Sequence, residues 1–242
     1  MDRADEVSLS KPTSSFERRS KLELRATAKT ARRIGLGPGQ RACKRIFDVV
    51  TAIVIFALFW WAILGVALWL RMSTGRPVIF SHVRVGRYGR DFECFKFRSM
   101  VPNAETLLVD LLATNDEARI EWERDFKLKD DPRITPFGRF IRRTSLDEFP
   151  QLWNVIRGDM SIVGPRPVVR TELDLYYADA LEHYMAVKPG LTGMWQISGR
   201  SDMEYPERVA LDRAYVESWG LWSDLMIVFR TAKAIFARRG AY

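Results

Sequence analysis

The longest hydrophobic segment of the chain runs from Ile46 to Leu70, where 25 residues include one charged side chain, Asp48. A helix of that length covers about 36 Å, which is enough to cross the hydrocarbon core of a bilayer. Basic residues flank the segment on both sides, within 41–45 and again within 71–90. Because basic residues mark the cytoplasmic side, the pattern leaves open a crossing helix and a re-entrant helix that returns to its side of entry.

After this segment the pattern predicts mainly helices, with one β-hairpin. Apolar positions alternate on both sides of a glycine turn at 86–89, which predicts a hairpin within 77–100. Residues 190–199 are predicted to be loop and strand. Helical spacing of apolar residues, or a helix-start signal such as Thr135-Pro136, predicts helices at 102–126, 136–143, 146–157, 167–186 and 204–218.

The last apolar stretch, 219–239, has its large side chains at helical spacing and carries Arg230, Lys233, Arg238 and Arg239. It fits an amphipathic helix at a membrane interface and equally a core-facing helix with a solvated basic side. The predicted fold class is therefore α+β: mainly α with a small β-hairpin, and membrane-associated through the apolar helix, which we expect to be re-entrant, and through amphipathic interfacial helices.

Charge and composition divide the chain into three parts. Residues 1–45 hold twelve Lys or Arg and five Asp or Glu, so +7 of the net charge of +8 lies there. The balanced remainder argues against a nucleic-acid partner. The apolar run starts too deep for a signal peptide. We predict a basic, disordered tail at 1–40 with a helical piece near 17–33, a membrane-inserted helix at 41–72, and a folded domain at 73–242.

The cysteines and histidines are too few for a disulfide framework or a zinc site. Cys43 and Cys94 have no paired spacing, which indicates a reducing compartment, and His82 and His183 show no partner pattern. A metal bound by this chain would need oxygen ligands, which favours Mg²⁺.

The densest group of reactive side chains lies in the stretch 142–167. Two adjacent carboxylates, Asp147 and Glu148, lie between arginines at 142, 143, 157 and 166. A carboxylate nucleophile among cations suits attack on a phosphoryl group, whose oxygens must first be neutralised. Ser145-Leu-Asp-Glu also fits a helix capping box, which is the commoner meaning of that pattern taken alone. The two interpretations are compatible, since a helix N-terminus favours an anionic reaction centre.

Several ordered motifs resemble the bacterial sugar transferase family, the monotopic polyprenyl-phosphate hexose-1-phosphate transferases. The resemblance covers about 41–239. The motifs that carry it are Lys44-Arg45-x-x-Asp48, Arg84-x-Gly86-x-x-Gly89, Lys96-Phe-Arg-Ser-Met100, Asp131-Pro-Arg-Ile-Thr-x-x-Gly138, Arg142-x-x-Ser-Leu-Asp-Glu-x-Pro-Gln-x-Trp-Asn-Val, Gly158-x-Met-Ser-x-Val-Gly-Pro-Arg-Pro, Lys188-Pro-Gly-Leu-Thr-Gly and Gly199-Arg200.

This resemblance implies a reaction. A sugar 1-phosphate passes from a UDP-sugar to undecaprenyl phosphate and UMP leaves, as the first step of exopolysaccharide or glycoconjugate synthesis. By position, Asp147 is the implied nucleophile and a Mg²⁺ ligand, and Glu148 the implied base. Arg142, Arg166 and Arg200 match phosphate-binding positions, and we add Lys96 and Arg98 from the strand motif as further phosphate-binding candidates.

The resemblance also implies a bacterial inner-membrane location with the catalytic domain facing the cytoplasm. Membrane lipids are expected partners, a homodimer is left open, and neither galactose nor glucose is favoured as the sugar. The chain resembles the short form of the family. Its apolar helix has Trp60-Trp61 where the family usually carries the Ser-Pro pair that turns the helix back. A non-catalytic membrane scaffold is the alternative function, and the intact Asp147-Glu148 pair argues against it.

Overall fold

The computed structural model describes residues 26–125, 128–198 and 203–236. As predicted, these residues are mainly helical with a small antiparallel hairpin. A first helix, α1, covers 26–34. The other elements, in chain order, are α2 Pro38–Ser73, β1 Ile79–Val85, β2 Asp91–Phe97, α3 Ala104–Thr114, α4 Asp116–Asp125, α5 Pro136–Arg143, α6 Gln151–Arg157, β3 Ser161–Val163, α7 Arg170–Tyr176, α8 Leu181–Ala186, β4 Gly190–Thr192, α9 Met194–Ser198, α10 Tyr205–Glu217 and α11 Leu221–Phe236.

The predicted hairpin is confirmed, and its turn explains its register. β1 pairs with β2 from Ile79 opposite Phe97 to Val85 opposite Asp91. The connecting turn has Tyr88 and Gly89 at positive φ, 61° and 73°. Two successive residues in the left-handed region turn the chain back within five residues, which sets the pairing.

Two predicted helices are interrupted in the structure, and the predicted start of a third is confirmed. The helix predicted at 102–126 breaks at Asn115, whose side chain accepts a hydrogen bond from Ala118 N and so starts α4. The helix predicted at 167–186 is divided into α7, a 3₁₀ turn at Ala178–Ala180, and α8. The predicted start at Thr135-Pro136 is confirmed, because the Thr135 hydroxyl accepts from Gly138 N at 2.9 Å.

A short parallel pair at the centre of the main core was not predicted. β3 pairs with β4, with Ser161 opposite Gly190 and Val163 opposite Thr192. Gly190 is required there, since a Cβ on it would lie 2.1 Å from the backbone nitrogen of Gly164. Side chains from α6, α8, α10 and α11 pack around this pair with Ala31 of α1. Residues 26–34, inside the range predicted as tail, are thus helical and reach the core.

The apolar run lies in α2, a continuous helix of 36 residues that is about 54 Å long. It begins at Pro38, three residues before the predicted boundary, because Gly37 precedes a proline that favours the first helical position and Gln40 accepts a hydrogen bond from Gly37 N. By length and composition α2 is able to cross a membrane.

One face of α2 packs against the rest of the protein from end to end. Its buried residues are Lys44, Asp48, Ala52, Val66 and Leu70. The half-buried side chains between Ala52 and Val66, which include Ile55, Phe59 and Ile63, continue the same face at helical spacing. The opposite face, which we call the outer strip, is exposed and apolar: Ile46, Val50, Ile53, Val54, Phe56, Leu58, Trp60, Trp61, Leu64, Leu68, Trp69 and Met72.

The C-terminal half of α2 packs in a second, smaller core. Val66 and Leu70 contact Phe97 of β2 and Ile141 of α5, and all four are buried. The ring of Trp69 lies 5.3 Å from that of Phe137. This cluster places the hairpin and α5 side by side, and both contribute to the candidate site.

A cluster of buried charged side chains attaches the N-terminal half of α2 to the main core. Lys44 Nζ donates to Asp224 Oδ2 of α11 at 2.7 Å and lies 3.8 Å from Asp48 Oδ1, one helical turn away. Asp224 is completely buried, and it also accepts hydrogen bonds from Tyr215 Oη and Trp219 Nε1. One cation is thus shared by two carboxylates out of contact with water.

Asp48 connects the same group to the central strands. Its Oδ1 accepts from Ser161 Oγ at 2.8 Å and from Ile162 N at 3.0 Å. The only charged residue of the apolar run therefore has its hydrogen bonds satisfied inside the protein. A buried carboxylate without such donors would be strongly destabilising.

We expect Asp224→Ala to lower the free energy of unfolding by about 3–5 kcal/mol, because it leaves Lys44 buried with only the more distant Asp48. Unfolding of the detergent-solubilised protein, followed by circular dichroism in denaturant, measures this. Asp110→Ala on exposed α3 is the matched control and should leave the unfolding midpoint unchanged. Equal midpoints for both variants would show that the buried group does not stabilise the fold.

Candidate active site

The two candidate carboxylates lie in a 3₁₀ turn, Leu146–Glu148, between α5 and α6. The capping-box prediction is wrong: Ser145 makes no side-chain cap, and its φ of 57° places it in the left-handed region. That conformation ends α5 and redirects the chain, so the helix predicted at 146–157 begins only at Gln151. Because a 3₁₀ turn has three residues per turn, Asp147 and Glu148 point about 120° apart.

Asp147 points into the protein and is 7% exposed. Burial raises the pKa of its carboxyl from 3.8 to about 6. The neighbouring Glu148 adds to this rise, whereas the positive charges of Lys96 and Arg142 oppose it. The pKa of a carboxyl in this position falls when a further cation binds beside it, so Asp147 is suited to become an anion when a metal ion binds there.

Glu148 points towards the hairpin, where its Oε1 accepts from Lys96 Nζ at 2.7 Å. Both side chains are about one-third exposed, at 30% and 32%. The charge of Lys96 also lowers the pKa of Asp147, so one cation acts on both candidate carboxylates. The structure thus brings together three of the predicted site residues.

Arg142 completes this group from the last turn of α5. Its Nε donates to Ser99 Oγ at 2.8 Å, and its charge interacts with that of Asp147. This arrangement depends on Gly138, where a Cβ would lie 1.9 Å from the carbonyl oxygen of Ser99. Only glycine allows α5 to approach the end of β2 this closely, which places Arg142 beside the carboxylates.

Two further groups around this site received no role in the sequence-based prediction. Asp131 and Arg133, from the motif that precedes the carboxylate turn in the sequence, form a buried bidentate ion pair. Arg133 Nε donates to Asp131 Oδ1 at 2.8 Å, and Arg133 Nη2 donates to Asp131 Oδ2 at 2.6 Å. Burial raises the pKa of Asp131, but hydrogen bonds from Arg133 and its charge reverse the effect, so the net pKa is lowered. This ionised carboxylate also interacts with Arg142.

Asn154 is the second missed residue, and it is completely buried. Its Nδ2 donates to Glu93 O at 2.7 Å, and its Oδ1 accepts from Phe95 N at 3.0 Å. The side-chain amide thus binds β2 as another strand would, and it fixes β2 against α6 next to the carboxylate turn. Asparagine is unfavourable inside a helix, which was the available sequence signal.

The other predicted phosphate-binding residues lie elsewhere or are not described. Arg98 Nη2 donates to Thr74 O and Gly75 O, at 2.6 and 3.1 Å, so it anchors the end of α2. Arg166 lies 5.7 Å from the Trp195 ring and its charge acts on Asp212. Arg200 lies outside the described residues. For all three, phosphate binding stays a prediction.

No group of three or more His, Cys, Asp or Glu side chains suitable for a metal occurs among the described residues. Mg²⁺ does not require one, because it is commonly held by one or two carboxylates together with substrate phosphates and water. Asp147, a buried carboxylate on which the positive charges of Lys96 and Arg142 act, fits that mode of binding. A magnesium ligand at Asp147 stays a prediction.

The family is decided by comparison with known proteins, because the model of the bacterial sugar transferases matches residues 39–238. The chain belongs to the bacterial sugar transferase family. The family predicted from the sequence motifs is therefore confirmed, and the carboxylate turn, the hairpin and all of α2 after Pro38 lie inside the matched range.

Three relatives show the range of this family. The undecaprenyl-phosphate galactose phosphotransferase of Salmonella typhimurium is 53% identical over 84% of this chain and 42% of its own length. The exopolysaccharide production protein ExoY of Rhizobium meliloti is 47% identical over 82% of this chain and 88% of its own. The UDP-glucose:undecaprenyl-phosphate glucose-1-phosphate transferase of Xanthomonas campestris is 38% identical over 82% of this chain and 40% of its own length. This chain spans less than half of the first and third relatives.

We expect Asp147→Asn to stabilise the protein at pH 7.5 when divalent cations are chelated. The folded-state pKa of about 6 exceeds the ordinary 3.8, so ionising Asp147 costs the folded state about 1–3 kcal/mol above pH 6. Below about pH 3 the carboxyl is mainly protonated in both states, and the difference should vanish. Denaturant unfolding of wild type and variant across about pH 3–8 measures this. A constant difference over that range would contradict the assignment.

Proposed function

We propose that this protein transfers a sugar 1-phosphate from a UDP-sugar to undecaprenyl phosphate and so initiates exopolysaccharide or glycoconjugate synthesis. The observation that carries this proposal is the buried Asp147 beside Lys96 and Arg142, in a chain of the bacterial sugar transferase family. The printed names of the relatives from Salmonella typhimurium and Xanthomonas campestris support the lipid acceptor.

In the proposed first step, a carboxylate oxygen of Asp147 attacks the phosphorus that bears the sugar. The phosphorus–oxygen bond to the nucleotide breaks, UMP leaves with the bonding electron pair, and a phosphosugar remains bonded to Asp147. Arg142 and Lys96 neutralise oxygens of the diphosphate, because an anionic nucleophile cannot otherwise approach an anionic phosphate. Burial of Asp147 reduces its hydration and thereby favours attack over stable solvation.

In the proposed second step, an oxygen of undecaprenyl phosphate attacks the same phosphorus and restores the Asp147 carboxylate. Glu148 accepts the remaining proton of the lipid phosphate. The hydrogen bond that Glu148 accepts from Lys96 orients the Glu148 carboxylate. The charge of Lys96 also acts on Asp147, so one cation influences both carboxylates. Two steps replace one transfer between two anions, which is the general advantage of covalent catalysis.

We further propose Mg²⁺ as the cofactor, with Asp147 as its protein ligand. When bound, the ion would neutralise the diphosphate of the donor. The contribution of the chain is a carboxylate held in place by the 3₁₀ turn and by the close packing of α5 on β2. The sugar, galactose, glucose or another, and a homodimer both stay open.

We expect the purified wild-type protein to release UMP from at least one UDP-sugar when undecaprenyl phosphate and Mg²⁺ are present. Asp147→Asn should lose this activity by roughly a thousandfold or more, because the nucleophile is removed. Chelation of Mg²⁺ should abolish activity reversibly. A luminescent assay for UMP, run over a panel of nucleotide sugars, measures all three and identifies the sugar.

Asp110→Asn is the matched control, since it makes the same substitution on exposed α3. Glu148→Gln should retain one equivalent of UMP release without acceptor but slow turnover with it. Full activity of Asp147→Asn, or absence of UMP release with every nucleotide sugar, would contradict the proposed mechanism.

We also propose that α2 embeds in one leaflet and that both of its ends stay on the cytoplasmic side of the bacterial inner membrane. Lys44 near one end contacts Asp224, and Leu70 near the other contacts Ile141 of the same protein body. A helix that crossed the bilayer would take part of that body into the hydrocarbon. The outer strip instead offers a continuous apolar face for lipid, with Trp60 and Trp61 suited to the interface.

A second apolar face supports this orientation. α11 buries Asp224 and Ile227 but exposes Trp222, Leu225 and Phe229 at helical spacing. Both alternatives left open by the sequence thus hold for α11: one side packs in the core and another side is an apolar surface. We place this surface at the membrane interface.

We expect thiols at the two ends of α2 to be shielded from outside the cell. The exposed native Cys43 tests one end and Ser73→Cys the other. A membrane-impermeant maleimide should label both thiols in lysed membranes and neither in intact spheroplasts. Labelling of one end alone from outside would show that α2 crosses the membrane, and a periplasmic protein with a known thiol controls for access of the reagent.

A further inference from the structure

An apolar cavity of about 620 Å³ lies between the C-terminal half of α2, the hairpin and α6. Its volume is within the usual range for small-molecule sites. Every side chain that lines it is nonpolar except Arg71, and none is acidic. A cavity with these walls suits a hydrocarbon chain and does not suit a sugar or a nucleotide, which would leave their hydroxyl groups without hydrogen bonds.

The cavity begins next to the candidate carboxylates. Phe149 and Pro150, which follow Glu148 directly, form part of its wall, and so does Phe97, which follows Lys96. The ring of Phe149 also lies 5.5 Å from that of Phe59 of α2. A ligand with a polar group at the site and a hydrocarbon chain attached to it would therefore find an apolar path within one residue of Glu148.

The cavity is also open towards the outer strip of α2. Phe56 and Leu68 belong both to that strip and to the cavity wall, and Trp153 of α6 is 57% exposed at its edge. A chain that lies in the cavity can thus continue into lipid without crossing a polar surface. Arg71 gives this opening a positive charge, which complements an anionic lipid.

We propose that this cavity binds the isoprene units nearest the phosphate of the polyprenyl acceptor. The proposal rests on the proposed function, because the family relatives only name the acceptor class. It deepens that function by assigning the lipid chain to Phe97, Phe149 and Trp153, while the acceptor phosphate lies at Asp147 and Glu148. A phospholipid acyl chain is the competing occupant, but its headgroup has no role at Asp147 and Glu148 in the proposed reaction.

Filling the cavity tests this assignment. Ala67 lines it from α2, and Ala67→Phe places a ring in the space that the chain would take. We expect the KM for undecaprenyl phosphate to rise by about tenfold or more, while UMP release in the absence of acceptor and the KM for the UDP-sugar stay unchanged. Ala57→Phe, on the exposed side of the same helix, is the matched control and should change neither KM.

A second measurement uses the wild-type protein and does not depend on the variant folding. A farnesyl phosphate that carries a benzophenone at the chain end remote from the phosphate should, on irradiation, label the peptide 149–157. Undecaprenyl phosphate should prevent this labelling. Phosphatidylglycerol at the same concentration should not prevent it. Equal competition by phosphatidylglycerol, labelling elsewhere, or an unchanged KM in a folded Ala67→Phe protein would each overturn the proposal.

The two proposals fail in different ways. If no UDP-sugar yields UMP with wild type, the proposed function is wrong, and the labelling experiment still decides whether the cavity binds a polyprenyl phosphate. If UMP is released normally but the labelling is absent from 149–157, the function stands and the cavity assignment is wrong.

Discussion

The structure depends on how it accommodates one buried cation. Lys44 lies on a helix with a long exposed apolar strip, yet its ammonium group is buried between Asp224 and Asp48. Tyr215 and Ser161 supply hydrogen bonds that these carboxylates need. Each group would be strongly destabilising alone, so the helix has one position on the body in which all of them are satisfied. The second core, the hairpin and the carboxylate turn are placed relative to that position.

Much of the fold could be predicted because its signals are local. Loose alternation of apolar residues around Gly86–Gly89 indicated the hairpin, and Thr135-Pro136 indicated the start of α5 by cap chemistry. The pairing of β3 with β4 was missed because it joins segments about 30 residues apart through three-residue strands, too short for a periodic pattern. Asn115 divided a predicted helix for a local reason, its side-chain hydrogen bond, which apolar spacing does not show.

Part of the candidate site could be predicted because its signals, too, are local in the sequence. Adjacent Asp147 and Glu148 among cations were visible in the sequence, and their contacts with Lys96 and Arg142 follow from folding. The burial of Asp147 was not predictable, since the apparent capping box suggested a helix terminus at the surface. Nor could spacing show that Arg98 binds carbonyl groups at the end of α2. Lys96 belongs to the same motif but pairs with Glu148, and only tertiary contacts show this difference.

The outer strip of α2 has a consequence for work with the purified protein. Detergents usually surround a transmembrane protein as a closed ring, whereas this strip lies on one side of a helix whose other side is covered by the protein. Detergent would therefore gather as a one-sided patch, of lower mass than a ring, with an exposed border against the polar body. Two such patches on separate molecules are able to merge, so apparent oligomers in detergent can arise from shared micelles alone.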